Sequence, residues 1–207
     1  MALSINKQKE KDWDSLIKQI AKTNGWKFKG WFAYKAINNI FYEANFYTSG
    51  IDNSLMGSLQ FKPLIIDEVF WKIVGLEDNK KMPLSFRGNG AFVIRSKNVF
   101  EFSQKVIPEN LSADINKLFT TINNQIDRLQ STIKDVDGFV EYLEQNPDKE
   151  NEWFDSDLII IASIIQKKYD KVLSLLDYAK KEKKVCGFGF GDKDFYDLAR
   201  EFCQKQH

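Results

Sequence analysis

Trp26–Thr48 reads WKFKGWFAYKAINNIFYEANFYT, and its division into strands decides the fold. Aromatic and small apolar residues alternate there with lysines at a period of two, the period of a strand with one covered face. The pattern predicts a first strand over Trp26–Lys35. One face carries Trp26, Phe28, Gly30, Phe32 and Tyr34, the other Lys27, Lys29, Trp31, Ala33 and Lys35. A second strand follows Asn38-Asn39, from Ile40 to Thr48. Tyr42, Ala44 and Phe46 share one face; Phe41, Glu43, Asn45 and Tyr47 share the other. Keeping like with like across the pair sets Tyr34 opposite Tyr42 and Trp31 opposite Asn45, with a three-residue loop at Ile37-Asn38-Asn39. A two-residue Asn-Asn turn would set Tyr34 against Glu43, so the longer loop is expected.

Working outward, Trp13, Leu16, Ile17 and Ile20 fall on one stripe of a helix over Lys9–Asn24 that Asn24-Gly25 ends. Leu55–Lys62 reads as a strand with Leu55, Leu59 and Phe61 inward. Pro63 opens a short helix that Gly75 closes. Leu84–Arg87, Ala91–Ser96 and Asn98–Lys105 read as two or three further strands between glycine- and asparagine-rich turns. Past Pro108 the period changes. Leu111, Ile115, Leu118, Phe119, Ile122, Ile126, Leu129 and Ile133 step by four and three, which predicts a long amphipathic helix. Helices are also predicted over Val136–Gln145, Asp157–Lys167, Tyr169–Lys183 and Asp192–Gln204, the last capped by Asp192. The expected fold is α+β: an N-terminal helix and an antiparallel sheet of about five strands, followed by a C-terminal helical subdomain. The boundary is expected between residues 107 and 108.

Composition narrows function. Of 207 residues, 43% are hydrophobic and 29% charged, with net charge +1, so no overall field draws the chain to nucleic acid or an anionic membrane. The only histidine is His207. A terminal residue is poorly held, so imidazole-based nucleophilic catalysis and histidine-ligated zinc or iron sites are not expected. Two cysteines, Cys186 and Cys203, make no CxxC pair and read as reduced thiols. Met1–Lys11 is polar, without the apolar core of a secretory signal. The most apolar run, Leu158–Ile165, is shorter than a bilayer span. A cytoplasmic protein with no membrane association, no metal and no cofactor is expected.

Other candidate chemistry reads as structure. Gly187–Gly191 resembles a phosphate-cradling turn, yet it follows a helix rather than a strand, and Asp192 and Asp194 would repel phosphate. Its phenylalanines are expected to pack. The carboxylate pairs Asp67-Glu68, Glu77-Asp78, Asp155/Asp157 and Asp192/Asp194, like the Pro147–Glu150 stretch, lack the convergence that a metal-dependent hydrolase requires. Lys27 and Lys29 beside Trp31 have the composition of a single-strand nucleic-acid platform, but the alternation sends most of the aromatics inward and leaves only Trp31 on the lysine face. Arg87, one of four arginines, lies beside the glycine-rich turn of Met82–Gly90 and is expected on a solvated hairpin.

In pattern, the strand-rich half from Trp26 to Lys105 resembles the small α+β bacterial proteins that accompany polymorphic toxins as immunity proteins. The resemblance carries no motif, so no residue role comes with it. The missing catalytic inventory, in a chain with a well-specified core and many aromatics, leads to the expectation of a non-catalytic protein-binding module, such as a toxin-neutralising partner. The expected contact residues, if exposed, are Trp31, Phe41 and Tyr47 on one sheet face, flanked by Lys27, Lys29 and Glu43, together with Arg87 in its loop. Aromatic anchors inside a polar rim suit a protein partner. The alternatives are a histidine-free metal-dependent phosphoryl hydrolase or nuclease, and a single-strand nucleic-acid binder.

Overall fold

A computed structural model describes residues 2–148, 155–184 and 187–206. The chain is α+β, and its contacts form two units that interleave in sequence. One joins Met1–Lys62 to Ser96–Thr132; the other joins Pro63–Arg95 to Ile133–His207.

The first unit holds helix α1 (Ala2–Thr23) and strands β1 (Lys27–Lys29), β2 (Phe32–Ile37), β3 (Ile40–Ser49), β4 (Ser54–Pro63) and β5 (Lys97–Lys105). The strands form one antiparallel sheet in sequence order. The expected single strand over Trp26–Lys35 is a hairpin instead. Lys29 pairs with Phe32 across a two-residue turn at Gly30-Trp31, where Gly30 sits at φ 64°. A turn with a positive φ at its first central residue matches the twist of antiparallel strands, and glycine adopts it without steric cost. The register beyond also differs from expectation. Tyr34 faces Glu43, and Ile37 pairs with Ile40 across Asn38-Asn39, both at positive φ, 50° and 63°. Segregation by face does not set this register, because Ile40–Ala44 is buried on both faces and a one-residue slip exposes nothing apolar there. Asparagine tolerates the left-handed region well enough to make the tighter turn.

Helix α4 (Leu111–Thr132) completes this unit. All of its predicted inward stripe is buried. It lies on the sheet face that carries Tyr42 and Phe46. Phe119 packs on Phe46 with ring centres 5.4 Å apart, and Gln130 Nε2 donates to the Tyr42 hydroxyl at 2.6 Å. Asn123 Oδ1 accepts from Trp26 Nε1 at 3.2 Å and from Lys35 Nζ at 2.8 Å. Burial holds the Lys35 ammonium below its ordinary pKa, against the opposing pull of Asp127.

The second unit contains α2 (Leu64–Ile73), a 3₁₀ turn at Glu77–Lys81, α3 (Phe86–Asn89), α5 (Val136–Gln145), α6 (Ser156–Ile165), α7 (Tyr169–Lys181), a short hairpin of β6 (Gly189–Phe190) and β7 (Lys193–Asp194), and α8 (Phe195–Gln204). Helix α6 is apolar on nearly every side and mostly buried, the signature of a central helix. Phe70 of α2 packs against Phe188 and Phe195, with ring centres 4.9 and 5.2 Å apart, so the phenylalanines of the glycine-rich connector do pack. Asp194, not Asp192, caps α8. The Asp197 amide donates to Asp194 Oδ1 at 2.9 Å, and the Asp197 side chain returns the bond. Neither Leu84–Arg87 nor Ala91–Ser96 is a strand. Phe86–Asn89 is one helical turn, and residues 91–96 run without ladder partners. Buried side chains order this segment instead. Asp67 Oδ1 accepts from the Ile94 amide at 3.0 Å, and Trp71 Nε1 donates to the Phe92 carbonyl at 2.5 Å.

Candidate protein-binding surface

The two-residue turn of the β1–β2 hairpin lifts Trp31 out of the strand in which alternation had placed it. The residue is 53% exposed, while its carbonyl accepts from the Phe46 amide at 3.1 Å. The turn therefore abuts the end of β3 that carries Tyr47, which is 55% exposed. Antiparallel order brings the start of β4 and the end of β5 to this same end of the sheet. Met56 is exposed there, Ile51 in the β3–β4 loop and Ile107 just past β5. Five of the nine large apolar side chains exposed among the described residues thus gather at one end of one sheet. Scattered exposed apolar residues are ordinary; concentration is not.

A groove of about 390 Å³ runs beside Tyr47 and Met56, closed by Ser58, Glu101 and Ser103. Its floor depends on Gly57. The Phe102 ring lies over that glycine, and a Cβ there would meet the ring at 2.3 Å and the Asn45 carbonyl oxygen at 2.0 Å. Lys27 and Lys29 are exposed on β1, with Lys29 directly before the turn. Apolar anchors are thereby set among lysine, serine and glutamate.

Three of the sequence-derived residues lie elsewhere: Glu43, expected on the flank, is 6% exposed. Phe41 is 0% exposed, so the condition on which its role rested is not met. Arg87 is not on a solvated hairpin. It is 9% exposed, donates to the Leu64 carbonyl at 2.6 Å, and stands 3.5 Å from Asp67 and 3.1 Å from Glu68. Its guanidinium carbon lies 4.9 Å from the centre of the Trp71 ring. The Asp67-Glu68 pair, expected to diverge, converges on this one cation. Met56, Ile51 and Ile107 carried no signal in the sequence. Each is a single apolar residue in a turn or on a polar strand face, and only the order of the strands collects them.

The chain matches no protein-family model, no curated protein and no solved structure.

Two further hollows belong to the second unit. One of about 740 Å³ lies among Asp135, Asp137, Glu141 and Glu144. The other, about 340 Å³, lies among Lys180, Lys183, Lys184 and Arg200, with Asp194 and Asp197 beside them. Among the described residues no three histidine, cysteine, aspartate or glutamate side chains gather as a metal site, and no helix is long and apolar enough to cross a membrane. Asp157 is a largely buried carboxylate of α6. Burial raises its pKa, the Tyr196 hydroxyl opposes the shift by hydrogen bonding, and the Asp194 charge adds to it. Cys203 is buried, which raises its thiol pKa; this suits a packed side chain rather than a nucleophile. Cys186 and the Lys149-Glu150 part of the acidic stretch lie outside the described residues.

Proposed function

We propose that this chain is a non-catalytic protein-binding module, of the toxin-neutralising kind, that grips its partner at the end of the sheet where Trp31, Tyr47 and Met56 stand exposed. The observation that carries this reading is the concentration of exposed apolar side chains there, next to a groove and inside a polar rim. Aromatic and methionine side chains are the residues on which protein interfaces concentrate their energy. Lys27 and Lys29 on the flank favour an acidic partner surface, which would raise the rate of encounter more than the final affinity.

The test compares the wild-type chain with Trp31→Ser/Tyr47→Ser/Met56→Ser as bait in lysate of the source organism. The expected result is one stoichiometric protein retained by the wild type and lost by the triple variant, with thermal stability unchanged. That protein, expressed alone, should arrest growth, and co-expression of this chain should relieve the arrest. Equal retention by both baits would move the binding site elsewhere. A captured protein that is harmless when expressed alone would remove the toxin-neutralising part of the proposal.

A further inference from the structure

Strand β5 is the last strand of the sheet, and its outer edge has a readable hydrogen-bond phase. The Val106 amide donates inward to the Asn53 carbonyl at 2.8 Å. The ladder pairs Lys105 with Ser54 and continues in step to Phe100 opposite Leu59. Alternation along an antiparallel pair then sends the amides and carbonyls of Gln104 and Phe102 toward β4, and those of Glu101, Ser103 and Lys105 outward. Glu101, Ser103 and Lys105 are also exposed. An open edge with its polar backbone groups turned outward is a template for another strand.

We infer that the occupant is β5 of a second copy of this chain, paired antiparallel about a two-fold axis through Ser103. In that register Ser103 faces Ser103 of the other copy, and Glu101 faces Lys105 in both directions. Every outward-facing residue of one edge then meets an outward-facing residue of the other, giving about six backbone hydrogen bonds. Charges that would blunt a heterologous edge become reciprocal cross-strand pairs here. The neighbouring register, centred on Glu101, would set Glu101 against Glu101 of the other copy, which is repulsive, and would run into the irregularity between Leu59 and Gln60. An isologous contact of this kind closes on itself and does not propagate into a fibre. The two sheets join into one, and Trp31, Tyr47 and Met56 of both copies remain free. The inference stands on the β5 edge alone and does not depend on the partner proposed above.

The experiment is sedimentation velocity on the purified full chain over a micromolar to submillimolar range. The wild type should dimerise with concentration. Glu101→Lys and Lys105→Glu should each weaken the dimer by at least about tenfold, since each opposes like charges twice. Mixing these two variants should restore association as a heterodimer, because one copy then carries lysine at both paired positions and the other carries glutamate at both. Ser103→Pro, which removes an outward amide and no bond to β4, should be monomeric with an unchanged circular dichroism spectrum. A wild type that stays monomeric throughout, a dimer indifferent to the single charge reversals, or a mixture that fails to associate would each overturn the inference. Because only this chain is present, none of these outcomes bears on capture of another protein.

Discussion

Arg87 holds together a buried charge cluster whose removal has a calculable direction. Asp67 is fully enclosed and spends one oxygen on the Ile94 amide, while the guanidinium faces the other. Arg87→Ala takes the guanidinium away from both Asp67 and Glu68, and losing one partner of a buried pair costs about 3–5 kcal/mol. Denaturant unfolding should show this as a lower midpoint with an unchanged slope. Arg87→Met combined with Asp67→Asn should recover much of the loss, because the buried negative charge is removed together with the cation. Asp157 works with the opposite sign. Its folded pKa lies above the unfolded value, so the folded state binds more protons and stability falls as pH rises from the ordinary carboxylate range through the folded pKa. Asp157→Asn removes that deficit and keeps an acceptor for Tyr196. It should raise Tm at neutral pH, with the gain vanishing below about pH 4, where aspartate is protonated in both states. A gain that persists unchanged into acid would mean that burial of the charge is not its cause. Neither environment was legible in the sequence. Beside glycines Arg87 reads as a solvated loop residue, and only the turn of α3 folds it back over Trp71.

At the scale of elements, legibility followed the range of the determining interaction. The stripe from Leu111 to Ile133 records α4 within a single segment, and Val136–Gln145 was bounded as observed because Asp135 and Asn146-Pro147 punctuate it locally. Strand pairing depends on partners far along the chain, and there local alternation misled. Gly30 was read as one small residue in a continuous strand, although its freedom at positive φ is what folds Trp26–Lys35 into a hairpin. Asn38-Asn39 likewise resolves the register through turn geometry, not through facial segregation. Gly57 shows the same dependence in β4. Gly57→Ala should destabilise by about 1–3 kcal/mol, the usual range for overpacking, because the new methyl meets both a backbone carbonyl of β3 and the Phe102 ring. Gly57→Ala/Phe102→Leu frees the side-chain obstacle but leaves the carbonyl. Thermal unfolding of the two variants therefore separates the contributions: partial recovery in the double variant is expected, and full recovery would show that the Asn45 carbonyl yields without cost.

For the whole molecule, the change of period near Pro108 is real as local structure, yet the contacts divide the chain differently. Helix α4 follows that change but belongs with the sheet, whereas Pro63–Arg95 precedes it and belongs with the later helices. A period reports the type of an element; which face of which sheet the element covers is a long-range fact that no window contains. Truncation tests the consequence. A fragment of residues 1–107 keeps α1 and all five strands but loses Phe119 from Phe46, Gln130 from Tyr42, and Asn123 from Trp26 and Lys35. It uncovers the groups that α4 packs against, among them Phe46, Tyr42 and Trp26. It should lack a cooperative thermal transition and bind a hydrophobic dye. Extending it to residue 132 restores α4 and should restore the transition, even though residues 63–95 then form an insertion without its later helices, because closing a longer loop adds little entropic cost. Equal cooperativity in the two fragments would place α4 outside the folding unit of the sheet and return the boundary to Pro108. Recovery only in the longer fragment would establish that the surface bearing Trp31, Tyr47 and Met56 is built by a unit that the chain leaves and re-enters.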